Sequence, residues 1–328
     1  MIDVQLAKKL GLIGYRNHAK RLLDILTSYT DFEVTHIYHP TKKIVDPLIT
    51  NDIDSMYDCD AIIIASPNST HFNYIMKFIK NSNCFIFCEK PPCTSIEEIE
   101  KLNSLGDNEK HRIFFNFNYR FSETSKIIKD SIHSEKIGKI IHVSIVSTHG
   151  LAFKDGYNNS WRADGKTNLH NILETVTIHF LDLLNLHFGE ISNCMYIPSK
   201  FSDQGNSFDT CHILLEYKNG LTCSILNSYA SSYIEEISII GTNGHASIRD
   251  NILNKFYPRD TFDDDGFFDT PPKMHEETVN TKLHYKNSLQ SSVDYFLTHI
   301  KNREPFQIFD FDLSLSTNKQ ILNLKNNL

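Results

Sequence analysis

Short apolar runs alternate with helical hydrophobic repeats through the N-terminal third of the chain. Five runs have the length of buried strands, at residues 9–13, 33–38, 61–65, 85–88 and 112–117. Helical repeats follow three of these runs: one carries Ala19, Leu22 and Leu26, one spans residues 70–79, and one begins at Ser95. Because strands that alternate with helices form parallel sheets, this region is predicted to be an α/β domain with a parallel sheet.

The fourth run ends abruptly in charged residues and prolines. Glu89 and Lys90 follow it directly, and Pro91 and Pro92 lack an N–H group, so no strand or helix can continue through them. Ligands of open parallel sheets bind outside the carboxyl ends of the strands. We therefore expect Lys90 to lie at a ligand-binding edge. The alternative is a surface salt bridge beside a proline turn.

The hydrophobic pattern changes beyond residue 121. Residues 122–134 and 171–188 have helical periodicity, residues 138–149 alternate as a strand, and residues 191–256 form short β segments separated by turns. Consecutive strands of this kind indicate an antiparallel or mixed sheet. The sequence therefore predicts two domains, residues 1–121 and residues 122–328.

The C-terminal quarter of the chain contains one polar stretch and two helical repeats. Residues 258–284 are acidic and rich in turn residues, so we expect an exposed loop there. Two helices, at about residues 284–302 and 311–326, are predicted to close the chain.

A degenerate dinucleotide motif lies between the first strand and the first helix. Gly14 and Ala19 match the first and third positions of G-x-G-x-x-G/A, but Arg16 replaces the glycine that lets the backbone approach a pyrophosphate. A plain strand–turn–helix is the alternative interpretation. The end of the second strand has no acid for a ribose 2′-hydroxyl, and His39, Thr41 and Lys42 occur there instead. With Arg16, such groups favour the 2′-phosphate of NADP over NAD, unless the lysine is merely solvated.

Composition excludes several classes of protein. The chain has 33 basic and 40 acidic residues and a net charge of −7, without the basic patch of a nucleic-acid-binding protein. No apolar segment approaches the ~18 residues of a membrane span, and residues 1–5 do not resemble a signal peptide. The seven cysteines include no Cys-x-x-Cys pair, so we expect reduced thiols in a cytoplasmic protein and no metal site.

Several motifs occur in a characteristic order: Gly14, then Pro67-Asn68 with His71, then Glu89-Lys90-Pro91, then Asn118-Tyr119-Arg120, and finally His179. This combination resembles the Gfo/Idh/MocA family (glucose–fructose oxidoreductase, inositol dehydrogenase, rhizopine catabolism). The resemblance implies an N-terminal Rossmann domain and a C-terminal α/β domain with an open, mainly antiparallel sheet, whose last helix returns toward the Rossmann domain. It also implies an NAD(P)-dependent oxidoreductase of sugars, cyclitols or nucleotide-linked sugars, working as a homodimer or homotetramer.

The resemblance also assigns roles to individual residues. It implies that Lys90 contacts the reacting hydroxyl and that His179 is the active-site histidine. The expected cofactor-binding residues are Gly14, Tyr15, Arg16, Asn17, His18, Ala19, His39, Thr41, Lys42, Ala65, Ser66, Pro67, Asn68, His71, Glu89, Lys90 and Pro91. The candidate substrate contacts, each of which could instead be structural, are Tyr119, Arg120, Trp161, Arg162, Asn168, His170, Glu174 and Thr175.

One position departs from the family pattern. Members commonly carry an acid four residues before the active-site histidine, where this chain has Thr175. Glu174 lies five residues before His179 and would be rotated away in a regular helix. Three alternatives follow: Glu174 substitutes through a distorted helix, the acid is dispensable, or the site is unusual.

Two other functions therefore compete with a dehydrogenase. One is a non-catalytic binding or regulatory protein on the same fold, which Arg16, Thr175 and the missing ribose acid would suit. The other is a lyase or hydrolase that recycles bound NAD, as in some branches of the family.

Overall fold

The computed structural model describes residues 7–41, 48–279 and 284–326. The chain divides into two compact units. The first comprises residues 1–117 and 289–322, and the second comprises residues 118–288 and 323–328. The division after residue 117 lies shortly before the boundary expected at residue 121.

The first unit contains a six-stranded parallel sheet. Its strands are β1 (Lys8–Ile13), β2 (Phe32–Tyr38), β3 (Ile49–Thr50), β4 (Ala61–Ile64), β5 (Phe85–Glu89) and β6 (Ile113–Asn116). They lie in the order β3-β2-β1-β4-β5-β6, and every pairing is parallel. The order reverses between β1 and β4, which is the point where open α/β sheets bind ligands. The predicted parallel sheet is confirmed.

Helices connect these strands. They are α1 (Asn17–Leu26), α2 (His71–Asn81), α3 (Ile96–Asn103) and α4 (Asp107–Lys110). In α1, Ala19, Leu22 and Leu26 are buried, as their helical spacing predicts. The short α4 was not predicted.

The second unit contains an eight-stranded mixed sheet. Its helices are α5 (Glu123–Ile132), α6 (Gly165–Asn168) and α7 (Ile178–Phe188), and its first strand is β7 (Ile140–Thr148). The other strands are β8 (Ile191–Ser199), β9 (Thr210–Tyr217), β10 (Thr222–Ser228), β11 (Ile234–Gly241), β12 (His245–Arg249), β13 (Ile252–Phe256) and β14 (Lys273–Thr278). The order is β14-β13-β12-β11-β7-β10-β9-β8, and only β7 and β10 pair in parallel. The prediction of a mainly antiparallel sheet is confirmed.

Two details of the second unit correct the sequence predictions. Residues 258–284 were expected to be a loop, but Lys273–Thr278 pairs with β13 as an edge strand. All six of its side chains are exposed, so no apolar alternation marked it. The helix predicted at residues 171–188 begins with a π turn, Leu173–Thr177, before α7.

Two long helices, α8 (His284–Asn302) and α9 (Ile308–Asn326), end the chain. Most of both belongs to the first unit, where Phe296 of α8 packs against Phe87 with ring centroids 5.2 Å apart. Phe306, between the helices, packs against Phe114 at 5.4 Å. Among the described residues, no helix is both long and apolar enough to cross a membrane.

Candidate active site

Gly14 closes the turn between β1 and α1. Its φ is +112°, and a Cβ atom there would lie 2.6 Å from the carbonyl oxygen of Ala65. Arg16 stands at the N-cap of α1 without a side-chain hydrogen bond to the first turn, and that turn contains no acidic residue. The backbone N–H groups of this first turn therefore suit an anionic phosphate, and the loop before it fits the pyrophosphate of a dinucleotide.

A buried carboxylate links α1 to the end of β5. The Nε2 atom of His18 lies 2.6 Å from Oε1 of Glu89, and the Asn116 amide donates to the same oxygen at 2.6 Å. Ser292 in turn donates to Asn116 at 2.5 Å. Burial alone would raise the pKa of the Glu89 carboxyl, but His18 and Asn116 hold it below its ordinary value. Glu89, the residue before Lys90, is therefore a fixed negative charge.

His71 joins two further segments that were predicted to bind cofactor. Its Nδ1 lies 2.9 Å from the carbonyl oxygen of Pro91, and its Nε2 lies 2.9 Å from that of Ser66. The Lys90–Pro91 peptide bond is cis. Burial lowers the pKa of His71, and the two carbonyl contacts offset this only in part. His71 thus fixes the residues after β4 to those after β5.

The remaining expected cofactor residues of the first unit lie around these contacts. Thr70 donates to Pro67 at 2.7 Å in the turn that contains Asn68, and Lys20 lies over the Tyr15 ring at 5.0 Å. At the end of β2, the Thr41 amide donates to Nδ1 of His39 at 3.3 Å. Lys42 lies outside the described residues.

In the second unit, His179 stacks on Tyr119. Their ring centroids are 4.5 Å apart, with an angle of 22° between the planes; His179 is buried and Tyr119 is half-buried. The neighbouring Arg120 makes two hydrogen bonds of 2.7 Å to Asp182 on α7. Arg120, a candidate substrate contact, is therefore occupied in holding Tyr119 against His179.

The π turn places the residues just before α7. Thr175 donates to the Asn171 carbonyl at 2.7 Å and lies 2.7 Å from the Tyr229 hydroxyl. Glu174 forms an ion pair with Lys325. Because a π turn closes hydrogen bonds over five residues instead of four, it brings Glu174 nearer the side of the helix that carries His179. The distortion required by one of the three alternatives is thus present.

Comparison with known proteins identifies the family. Residues 8–117 match the model described as "Oxidoreductase family, NAD-binding Rossmann fold", and residues 126–247 match the "GFO/IDH/MocA C-terminal domain". The chain belongs to the Gfo/Idh/MocA oxidoreductase family. The resemblance seen in the motifs is confirmed.

Among curated members of this family, the inositol 2-dehydrogenase of Rhizobium meliloti is 26% identical over 200 residues, which cover 58% of each chain. The glucose-6-phosphate 3-dehydrogenase of Bacillus subtilis is 23% identical over 186 residues, covering 54% of this chain and 53% of that one. The matched region thus spans little more than half the length of these relatives.

Solved structures share the fold over nearly the whole chain. An oxidoreductase from Agrobacterium radiobacter, in complex with NAD+, L-tartaric acid and magnesium, superposes with a TM-score of 0.76 at 17% identity, covering 98% of this chain and 94% of that one. A myo-inositol dehydrogenase from Corynebacterium glutamicum gives 0.72 at 19% identity, covering 97% and 96%. At these identities the likeness shows the fold alone.

The Gfo/Idh/MocA motifs do not include three residues that lie at the same end of neighbouring strands in the second unit's sheet. His149 follows β7 and Tyr229 follows β10, and their rings stack 5.2 Å apart. Glu235, near the start of β11, accepts a 2.6 Å hydrogen bond from Tyr233. Burial raises the pKa of the Glu235 carboxyl. The available signal for His149 and Tyr229 was their position directly beyond strand ends.

Four other candidate substrate contacts of the second unit lie near α6. Arg162 lies over the ring of Trp161, 4.7 Å from its centroid, and Asn168 ends α6. His170 lies 3.0 Å from the Tyr196 hydroxyl. Burial, with a smaller effect from Lys325, lowers the pKa of His170.

Proposed function

We propose that this protein is an NAD(P)-dependent oxidoreductase that transfers hydride between nicotinamide and a hydroxyl- or keto-bearing carbon of a sugar or cyclitol. The observation that carries the proposal is the chain of contacts in the first unit from Gly14 and His18 to Glu89. It joins a phosphate-binding turn to the residue before Lys90, at the switch point of a parallel sheet. The names of the two dehydrogenases above agree with a sugar or cyclitol substrate.

Each catalytic residue has one role in this proposal. The cofactor supplies the hydride acceptor or donor. The Lys90 ammonium stabilises negative charge on the substrate oxygen as the carbon–hydrogen bond breaks or forms. His179 accepts or donates the hydroxyl proton, and its stack on Tyr119 orients the imidazole.

The proposal includes a preference for NADP over NAD. Among the described residues, the end of β2 offers His39 and Thr41 and no acid, and Arg16 begins α1 nearby in the same unit. A 2′-phosphate would suit these groups, whereas a 2′-hydroxyl would lack its usual carboxylate partner. Fluorescence titration should give a lower Kd for NADPH than for NADH. A tighter complex with NADH would contradict the preference.

We also propose a cytoplasmic homodimer or homotetramer. The cysteines are all free thiols, which suits a reducing compartment. One face of the eight-stranded sheet exposes apolar side chains, among them Met195, Ile197 and Ile240, which suits a subunit contact. Sedimentation at micromolar concentration tests the assembly, and a monomer would contradict it.

Lys90 gives the sharpest test of the chemistry. Lys90→Ala should abolish turnover while cofactor affinity stays within a few fold of wild type. Lys80→Ala, at an exposed lysine near the end of α2, serves as the control and should leave both unchanged. Retained turnover in Lys90→Ala would contradict the assignment, and failure to bind either dinucleotide would favour a non-catalytic protein.

A second candidate is a lyase or hydratase that reoxidises its own cofactor. A 2,7-anhydro-N-acetylneuraminate hydratase of Escherichia coli is 23% identical over 73% of this chain and 66% of that one. This function predicts substrate conversion without net accumulation of NAD(P)H. Following product and absorbance at 340 nm together separates the two.

A further inference from the structure

A cluster of aromatic and basic side chains lies at the end of two central strands of the second unit's sheet. His149 and Tyr229 directly follow β7 and β10, the one parallel pair of strands described in this sheet. The His149 amide donates to the Ser228 carbonyl at 2.9 Å, and the two rings stack with 25° between their planes. Tyr229 is buried and His149 is half-buried, so the Tyr229 ring supports the His149 ring at the carboxyl ends of both strands.

Arg162 is the cation of this cluster. It is half-buried and lies against Trp161. After burial, which lowers the pKa of His149 and raises that of Tyr229, the charge of Arg162 lowers the pKa of both. Arg162 also shares a hydrogen bond with the Tyr229 hydroxyl, and Tyr229 stacks on His149, so the three side chains form one cluster.

No carboxylate among the described residues forms an ion pair with Arg162. Arg120 shows the contrast, since it is paired with Asp182. Asp209 also acts on a neighbour of Arg162, Tyr157, but it already accepts hydrogen bonds from the Phe201 and Ser202 amides. The partner of Arg162 is instead the neutral Tyr229 hydroxyl, which leaves its charge uncompensated. Partial burial of a guanidinium without a carboxylate costs free energy, which a ligand of opposite charge would recover.

The other groups beside Tyr229 are neutral. Its buried hydroxyl lies 2.7 Å from the half-buried Thr175 and donates to the buried Asn171 at 3.3 Å. Trp161 is 45% exposed and offers a flat apolar surface of the kind that packs on sugar rings. An arginine fork beside such groups suits a polyol that also carries a carboxylate or phosphate.

We propose that Arg162, together with the half-buried His149 that Tyr229 supports from the interior, binds an anionic substituent of the substrate, so that the protein acts on a sugar acid or sugar phosphate in preference to the neutral sugar. This deepens the proposed function and rests on it only for the reaction. The binding site itself lies within the second unit.

The test is a calorimetric titration of the full chain with D-glucuronate, D-glucose 6-phosphate and D-glucose, repeated with a saturating dinucleotide. At least one anion should bind about tenfold or more tightly than glucose. Arg162→Gln should remove that advantage while leaving glucose affinity within about threefold. The two anions distinguish a carboxylate site from a phosphate site.

Two further variants serve as a control and as a fallback for this test. Arg249→Gln, at a 70% exposed arginine of the same unit, should keep the advantage. If Arg162→Gln fails to fold, Arg162→Lys should retain part of the affinity advantage of the anion over glucose, since the positive charge remains but the two-pronged guanidinium is lost. Equal affinity for neutral and charged sugars, no binding of either anion, or an advantage unchanged in the Arg162 variants would overturn the proposal.

The outcome is separable from that of the proposed function. Arg162-dependent anion binding without dinucleotide-linked turnover would retain the site and reject the oxidoreductase. Turnover of neutral sugars only would do the reverse.

Discussion

The Nε2 atom of His18 lies 2.6 Å from Oε1 of Glu89, so the first turn of α1 is bonded directly to the residue before Lys90. The two segments that the sequence predicts to bind the cofactor, around Gly14 and around Lys90, are therefore one structural unit. A change at either residue should affect both the stability of the first unit and cofactor binding.

Glu89→Gln should destabilise the protein by about 1–3 kcal/mol at neutral pH, because it removes the charge that His18 and Asn116 bond. The folded-state pKa of Glu89 is lowered, so its contribution is present above the unfolded pKa and is lost as pH falls through the folded value. Urea unfolding should thus show a gap between variant and wild type that closes in acid. Glu100→Gln, at an exposed site on α3, is the control, and a gap independent of pH would contradict the charge argument.

Gly14→Ala should lower stability by more than about 2 kcal/mol and weaken dinucleotide binding at least tenfold. The added Cβ would lie 2.6 Å from the Ala65 carbonyl oxygen, and the alanine would have to adopt the positive φ of +112°. Gly220→Ala isolates the second effect, since its φ is +83° and nothing lies within 4 Å, and it should cost about 1 kcal/mol. Equal losses in the two variants would show that the close approach of the two turns is unimportant.

Asp182→Ala should destabilise the protein by about 3–5 kcal/mol, because it leaves the Arg120 guanidinium buried without its carboxylate. The double variant Arg120→Met with Asp182→Leu should recover much of this loss. The exposed pair Lys218 and Glu190 is the control, and its removal should leave the midpoint of urea unfolding nearly unchanged. If single and double variants unfold at the same urea concentration, the two side chains are not coupled.

Whether a strand could be predicted from the sequence depended on how deeply the strand is buried. Strands β1, β4 and β5 are buried on both faces and left continuous apolar runs, so they could be predicted. Strand β14 is exposed throughout and is held by its hydrogen bonds to β13, which leave no trace in hydropathy. Functional motifs similarly predict roles for Lys90 and His179 but none for His149 or Tyr229, because strand register alone brings those two together.

Glu235→Gln should stabilise the protein at neutral pH by about 0.5–2 kcal/mol while lowering turnover. Burial raises the folded-state pKa of Glu235, so its carboxylate destabilises the fold increasingly as pH rises from the unfolded pKa through the folded one. Thermal melts should show the gain at pH 7 and none near pH 4. Glu216→Gln, at an exposed position on β9, should show neither effect. A less stable Glu235→Gln would mean that the hydrogen bond from Tyr233 outweighs the burial of charge.

Glu174→Gln decides between the alternatives left open by Thr175. Glu174 lies five residues before His179, and an α-helix would turn it to a different side, but the π turn Leu173–Thr177 reduces that separation. If Glu174 assists the imidazole, Glu174→Gln should lower kcat about 10- to 100-fold, with cofactor affinity unchanged. Thr175→Val, which loses the hydroxyl contacts with the Asn171 carbonyl and with Tyr229, should lower kcat less than about fivefold. Because Lys325 is the ion-pair partner of Glu174, Lys325→Met should alter the pH profile of kcat in the same assay.

Unchanged kcat in Glu174→Gln would show that the acid is dispensable in this chain. A larger loss in Thr175→Val would instead assign the supporting role to Thr175.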